Sequence, residues 1–174
     1  MISRQDAIEL FEHHDLISIG MQADAVRSTW HPERIVTYCI DAEIEPSPDI
    51  VARVKFGSGE KIEQHLDRLD SIREMQEQRG PFALVIPTVN GTAAEYLKVL
   101  AISRIYLENI PHVQTSSALG LKVCQIALRF GADDIESAAH AQRSPTEEEL
   151  RCLIRDAGFI PKQRDALFCA YYLR

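Results

Sequence analysis

"HVQTSSALGLKVCQIALRFGADDIES", residues 112–137, decides the fold. Its opening "HVQTSS" is a strand, Gly120 supplies a tight turn, "LGLKVCQIALRFG" is an amphipathic helix, and Gly131 makes a second turn that hands on two carboxylates, Asp133 and Asp134. A strand that runs through a short turn into a helix of this length is one step of a parallel sheet, whose strands need crossover helices.

The same alternation extends upstream. "FALVIP" (82–87) is a continuous apolar run bounded by prolines, as expected of a strand buried on both faces. "NGTAAEYLKVLAISRIYLEN" (90–109) follows as a helix with Thr92 and Glu95 as its capping box. Before these, "ARVKF" (52–56) is a strand and "GSGE" leads into a helix over 60–79, where Ile62, Leu66, Leu69, Ile72 and Met75 share a face and Gly80 ends it. "RIVTYCID" (34–41) is the first strand, and the prolines of "AEIEPSPDIV" make an extended linker after it. Two short helices open the chain, capped by Ser3 and Asp15, and "SPTEEELRCLIRDAG" (144–158) closes it as a helix with Ser144 as cap, Pro145 at its first position and Glu147 completing the box. The tail "FIPKQRDALFCAYYLR" is apolar enough to dock.

Four parallel strands are counted in this way, and a closed eight-stranded βα barrel usually needs about 200 residues or more. The expectation is an α/β fold resembling half of such a barrel. It forms a single domain over 1–174, with N-terminal helices at 1–30, the partial barrel at 34–137 and a C-terminal helix and tail at 144–174. A chain of 174 residues that is 45% hydrophobic supports one core of that kind.

A net charge of −7 and a pI near 5.4 exclude a phosphate-tracking surface, so neither nucleic acid nor an anionic membrane is an expected partner. The charged, periodic start "MISRQDAIELFEHHDL" is not a signal core, and no apolar run reaches the roughly 18 residues of a spanning helix, which predicts a cytoplasmic protein. Cys39, Cys124, Cys152 and Cys169 are too widely spaced for adjacent thiolates to share a metal, and His13 and His14, neighbours on a helix, point apart. No metal ligands are expected.

"ISRQDAIELFEHHDLISIGMQADAVR", "HPERIVTYCID", "FGSGEKIEQHLDRLDSIREMQEQRGPFALVIP", "EYLKVLAISRIYLENIPHVQTS", "GLKVCQIALRFGADD" and "TEEELRCLIRDAGFIPKQRDAL" together, and in this order, resemble the radical-SAM enzymes of the futalosine route to menaquinone. The likeness is greatest to cyclic dehypoxanthine futalosine synthase. It implies a barrel whose first strand runs into a CxxxCxxC loop, where three thiolates hold a [4Fe–4S] cluster and leave one iron for S-adenosylmethionine. Here the first strand runs into "AEIEPSPDIVARVKF", which has no cysteine. Carboxylates are poor ligands for such a cluster. The next segment already resembles the family's fifth strand, so strands two to four are missing, with the site for the SAM amino group.

The resemblance makes Gly57, Ser58, Gly59 and Glu60, after that strand, candidates for SAM or nucleoside binding, since a helix N-terminus offers free N–H groups there. Gln114, Thr115 and Ser116 end a strand on the face where barrel chemistry occurs, and Asp41 ends the first strand. Two functional classes follow. One is a non-catalytic relative, either a partner subunit of a full-length synthase or a degenerate remnant, expected as a homodimer or with that synthase and with no cofactor of its own. The other is a compact enzyme using SAM or a nucleoside without radical chemistry. The exposed edges of the arc are expected at "ARVKF" and "VTYCID".

Overall fold

The computed structural model describes residues 2–40, 50–57, 60–80, 82, 84–136, 145–164 and 171–172. Helices α1 (Arg4–Glu12) and α2 (Leu16–Trp30) precede strand β1 (Ile35–Cys39). Then come β2 (Val51–Phe56), α3 (Ile62–Arg79), β3 (Leu84–Val89), α4 (Ala93–Tyr106), β4 (His112–Ser116), α5 (Leu121–Leu128), β5 (Asp134–Glu136), α6 (Glu147–Asp156), β6 (Ile160–Arg164) and β7 (Tyr171–Tyr172). One sheet runs in the order β2-β3-β4-β5-β1-β6-β7, and every pairing is parallel except β6 with β7.

The α/β architecture is the expected one, and all four strands read from the sequence are present. Three short strands join them. They move β1 from the expected edge into the sheet, with β5 on one side and β6 on the other, while β2 pairs among the described residues with β3 alone. The linker and tail therefore do not have to cover β1; the backbone of "DIE" and "IPKQR" takes up its hydrogen bonds.

Local chemistry fixes the helices. Ser3 and Asp6, Thr92 and Glu95, and Thr146 and Glu149 each form a reciprocal capping box. The last lies two residues beyond the expected one, because Thr146 with Glu149 is a second Thr-x-x-Glu in the same acidic run, and its carboxylate reaches back to the Thr146 N–H at 2.8 Å. Gly80 ends α3 in the left-handed conformation. Gly131 is required where it stands. Its φ is 98°, and a Cβ there would meet Arg104 Cγ at 2.9 Å and Ala23 Cβ at 3.0 Å, so α2 and α4 close over this turn only without a side chain.

Val36, Tyr38, Val54, Val85, Val113 and Ile135 point from five strands into one apolar layer with Leu66, Leu69, Leu100, Leu128 and Ile154 of the helices. Helix α4 is buried along nearly its whole length because β3 lies under it and α2 over it, the latter through Ile19, Ala23, Ala101, Ile102 and Ile105. Side chains alternate along a strand, so Thr37, Gln114, Asp134 and Arg164 stand on the opposite face, where the polar groups of the fold are concentrated.

Candidate functional site

The turn after β2 is latched by its own residues. Gly57 N–H donates to Glu60 Oε2 at 3.2 Å and Glu60 N–H donates to Gly57 O at 3.1 Å. Arg68, one turn into α3, forms an ion pair with Glu60 and donates to Lys55 O at 2.7 Å. Burial pushes the Glu60 carboxyl up, but the Arg68 guanidinium and the Gly57 amide outweigh it and hold the group below its usual range. Glu60 is thus ionised and engaged in holding the turn. A Cβ at Gly57 would meet nothing within 4 Å, and beside it lies a cavity of about 340 Å³ lined by Lys55, Phe56, Gly57, Thr88, Val89 and Asn90. Ser58, Gly59 and Asp41 lie outside the described residues.

The other candidates divide between two faces. Gln114 is buried, and its Nε2 donates to Asp134 at 2.7 Å. Thr115 points the opposite way, into the helical layer, where it accepts from Tyr96 Oη at 2.9 Å and lies 3.7 Å from Cys124 Sγ. Ser116, half-buried, shares the face of Gln114. The Gly57 turn and the end of β4 are separated in the sheet by β3, so the structure does not bring the two candidate segments together as neighbours.

The two carboxylates of the "GADD" turn dominate the polar structure. Asp134 is fully buried and takes four hydrogen bonds: two from Arg164 at 2.6 Å each, one from Thr37 Oγ1 at 2.6 Å and one from Gln114 at 2.7 Å. That single carboxylate ties β4, β5, β1 and β6 together. Asp133, one residue earlier, sits where β4 and β5 begin. Burial pushes its carboxyl up, but the Arg104 guanidinium beside it and the imidazoles of His112 and His31 hold it well below the usual carboxylate range. The "GADD" motif shows both in the sequence as carboxylates handed on by a turn, but nothing in it shows that they are buried.

The thiols do not converge. Cys39 is buried on β1, and Cys124 is buried on α5 with its thiol pushed up to about 11 by burial. Cys152 is exposed on α6, and Cys169 lies outside the described residues. Among the described residues, the group of three or more side chains able to share a metal ion is His31, His112 and Asp133, with no cysteine in it. The described residues do not fit a [4Fe–4S] cluster.

Residues 83–172, more than half of the chain, match the family model described as the CofH/MqnC C-terminal region. The chain belongs to that family. It is 33% identical over 131 residues to a cyclic dehypoxanthine futalosine synthase of Streptomyces coelicolor, covering 63% of this chain and 33% of that protein. An aminodeoxyfutalosine synthase of the same organism is 30% identical over 148 residues, with 65% and 38% covered. A 5-amino-6-(D-ribitylamino)uracil–L-tyrosine 4-hydroxyphenyl transferase of Methanocaldococcus jannaschii is 28% identical over 202 residues, with 94% and 56% covered. The chain therefore spans about a third to just over a half of the relatives it matches. That last alignment is longer than the chain, so the relative has internal segments without a counterpart here. The relation to the radical-SAM enzymes of the futalosine route holds. Among the described residues, no helix is long and apolar enough to cross a membrane.

Proposed function

We propose that this CofH/MqnC-family chain is a non-catalytic, cytoplasmic relative of the futalosine-route enzymes. It retains the second half of a βα barrel joined to the first strand, and acts as a homodimer or as a partner of a full-length synthase. The observation that carries this is the segment between β1 and β2: it contains no cysteine, and the three described thiols lie on separate elements, two of them buried. Reductive cleavage of S-adenosylmethionine needs an electron from a cluster, and a cluster needs three thiolates. Anaerobic reconstitution with iron and sulfide, followed by iron and sulfide quantitation, should leave less than one cluster per several chains. A stable, stoichiometric cluster would overturn the reading. Light scattering coupled to gel filtration tests the assembly: a dimer at micromolar concentration supports self-association, and a monomer that stays single with a purified synthase rules out both partner roles.

A second reading, retention of a nucleoside or S-adenosylmethionine without radical chemistry, is favoured by the cavity beside Gly57. Calorimetric titration of the wild type and of the Glu60→Ala, Gln114→Ala double variant tests it. Binding lost in the variant supports that site, and no heat from either ligand dismisses it.

A further inference from the structure

The end of the sheet opposite the Gly57 turn, where strands begin, carries a group that neither the family resemblance nor the proposed function uses. His31 caps α2 just ahead of β1, His112 is the first residue of β4, and Asp133 immediately precedes β5. Three separate connections thus deliver three potential ligands to one point, with the donor atoms all within 4.8 Å of one another.

The carboxylate is oriented before any ligand arrives. Asp133 Oδ1 is taken by the Arg104 guanidinium, which is itself fully buried and anchored on the carbonyls of Gly131, Ile110 and Pro111, and by the Val113 N–H at 2.8 Å. Its second oxygen, Oδ2, faces the imidazoles, 2.5 Å from His112 Nδ1 and 3.0 Å from His31 Nε2. His31 Nε2 also lies 3.0 Å from Pro111 O. The two rings stack, with centroids 4.9 Å apart, and both side chains keep partial exposure, 17% and 14%. A cavity of about 200 Å³ opens beside them, lined further by Glu33, Ile35, Thr37 and Lys162.

We propose that His31, His112 and Asp133 form a binding site for one divalent transition-metal ion of the imidazole-preferring kind, with a coordination position open to this cavity. Two neutral imidazoles and one carboxylate oxygen are a donor set that suits zinc, cobalt, nickel or copper and not magnesium or calcium, which demand oxygen ligands. Metal–nitrogen bonds of about 2.0–2.1 Å spread tetrahedral donors to a little over 3 Å. The observed spacings reach that by a small swing of two partly exposed rings, with the His31 contact to Pro111 given up. The Arg104 and Val113 bonds to Oδ1 are the outer contacts that hold a metal ligand in place. The positive charge of Arg104, with Lys162 nearby, sets the affinity below that of an all-anionic site and leaves the two imidazoles as the source of selectivity.

Trp30, the only tryptophan of the chain, adjoins His31 and is fixed by its indole N–H on Glu108 O at 2.8 Å, so its fluorescence reports on the site. The full chain, stripped with chelator at pH 7.5, is titrated with Co²⁺ and then with Mg²⁺, following Trp30 quenching, cobalt d–d absorption and bound metal per chain. One Co²⁺ per chain is expected, displaced by Zn²⁺ and indifferent to Mg²⁺. His31→Ala and His112→Ala should each weaken it by more than about tenfold. A His13→Ala, His14→Ala double variant, which removes the adjacent exposed histidines, should bind as the wild type does. Melting curves of each variant confirm that it folds; the partial exposure of the two rings makes their replacement tolerable, unlike that of Asp133. No stoichiometric cobalt on the wild type, or cobalt retained by folded His31→Ala and His112→Ala, would show the proposal to be wrong.

Discussion

His65 shows how a single buried group sets the response of this fold to pH. It is fully buried on α3 between the rings of Phe11 and Phe56, at 5.5 and 5.0 Å and edge-on, and its nitrogens make no hydrogen bond of good geometry. Burial above all, with the Arg68 charge, lowers its proton affinity in the folded chain. The unfolded chain takes a proton near pH 6.5 and the folded one only at lower pH, so His65 supports stability above about pH 6.5 and withdraws it as pH falls below. His31 acts in the opposite sense: burial lowers its affinity, but Asp133 outweighs this and raises it, so its stabilisation is present at acid pH and is lost as pH rises through the raised value. In His65→Leu, a swap of similar volume, stability at pH 8 should change by no more than about 1 kcal/mol. The acid arm should flatten or invert, as read from melting temperatures between pH 5 and 8; an unchanged acid arm would remove His65 from the account. At this scale the sequence says little. A histidine on an apolar helix face is visible as such, but its aromatic neighbours come from α1 and β2, and no spacing predicts that Asp134 and Arg164, thirty positions apart, form a bidentate pair.

Elements were more legible, and the reason is that their boundary signals are local. Gly80, the Ser3 cap and the box at Thr92 could be read because each involves residues within four positions. The run "SPTEEE" offered two overlapping starts, and the structure takes the one in which Thr146 accepts from the Glu149 N–H at 3.3 Å. Thr146→Ala should cost about 1 kcal/mol, a few degrees in melting temperature, while Thr146→Ser stays within a few tenths. Equal melting of wild type and Ala variant would mean that α6 starts elsewhere. Strands β5 and β6 escaped the reading for a physical reason. "DIE" is too short to show a period, and "IPKQR" carries a proline and three polar residues because its inner face holds Arg164 against Asp134 rather than apolar contacts.

For the molecule as a whole, the parallel α/β plan was recoverable because helices and strands alternate, whereas strand order was not, since nothing in "RIVTYCID" says which strands flank it. The sheet places this strand between two that come far later in the chain: Thr37 is registered with Asp134, 97 positions away, and again with Lys162. Strands β2, β3 and β4, by contrast, pair in the order in which they occur. During synthesis, β1 emerges well ahead of both its partners: it has neither of them until "DIE" has followed it, and gains the second only with "IPKQR". Closing loops of that length is slow, because the entropy of joining distant segments is lost before the contacts form. The strand thus waits for residues 134–164, with Val36 and Tyr38 lacking the sheet around them, and in that interval it is open to aggregation and to chaperones.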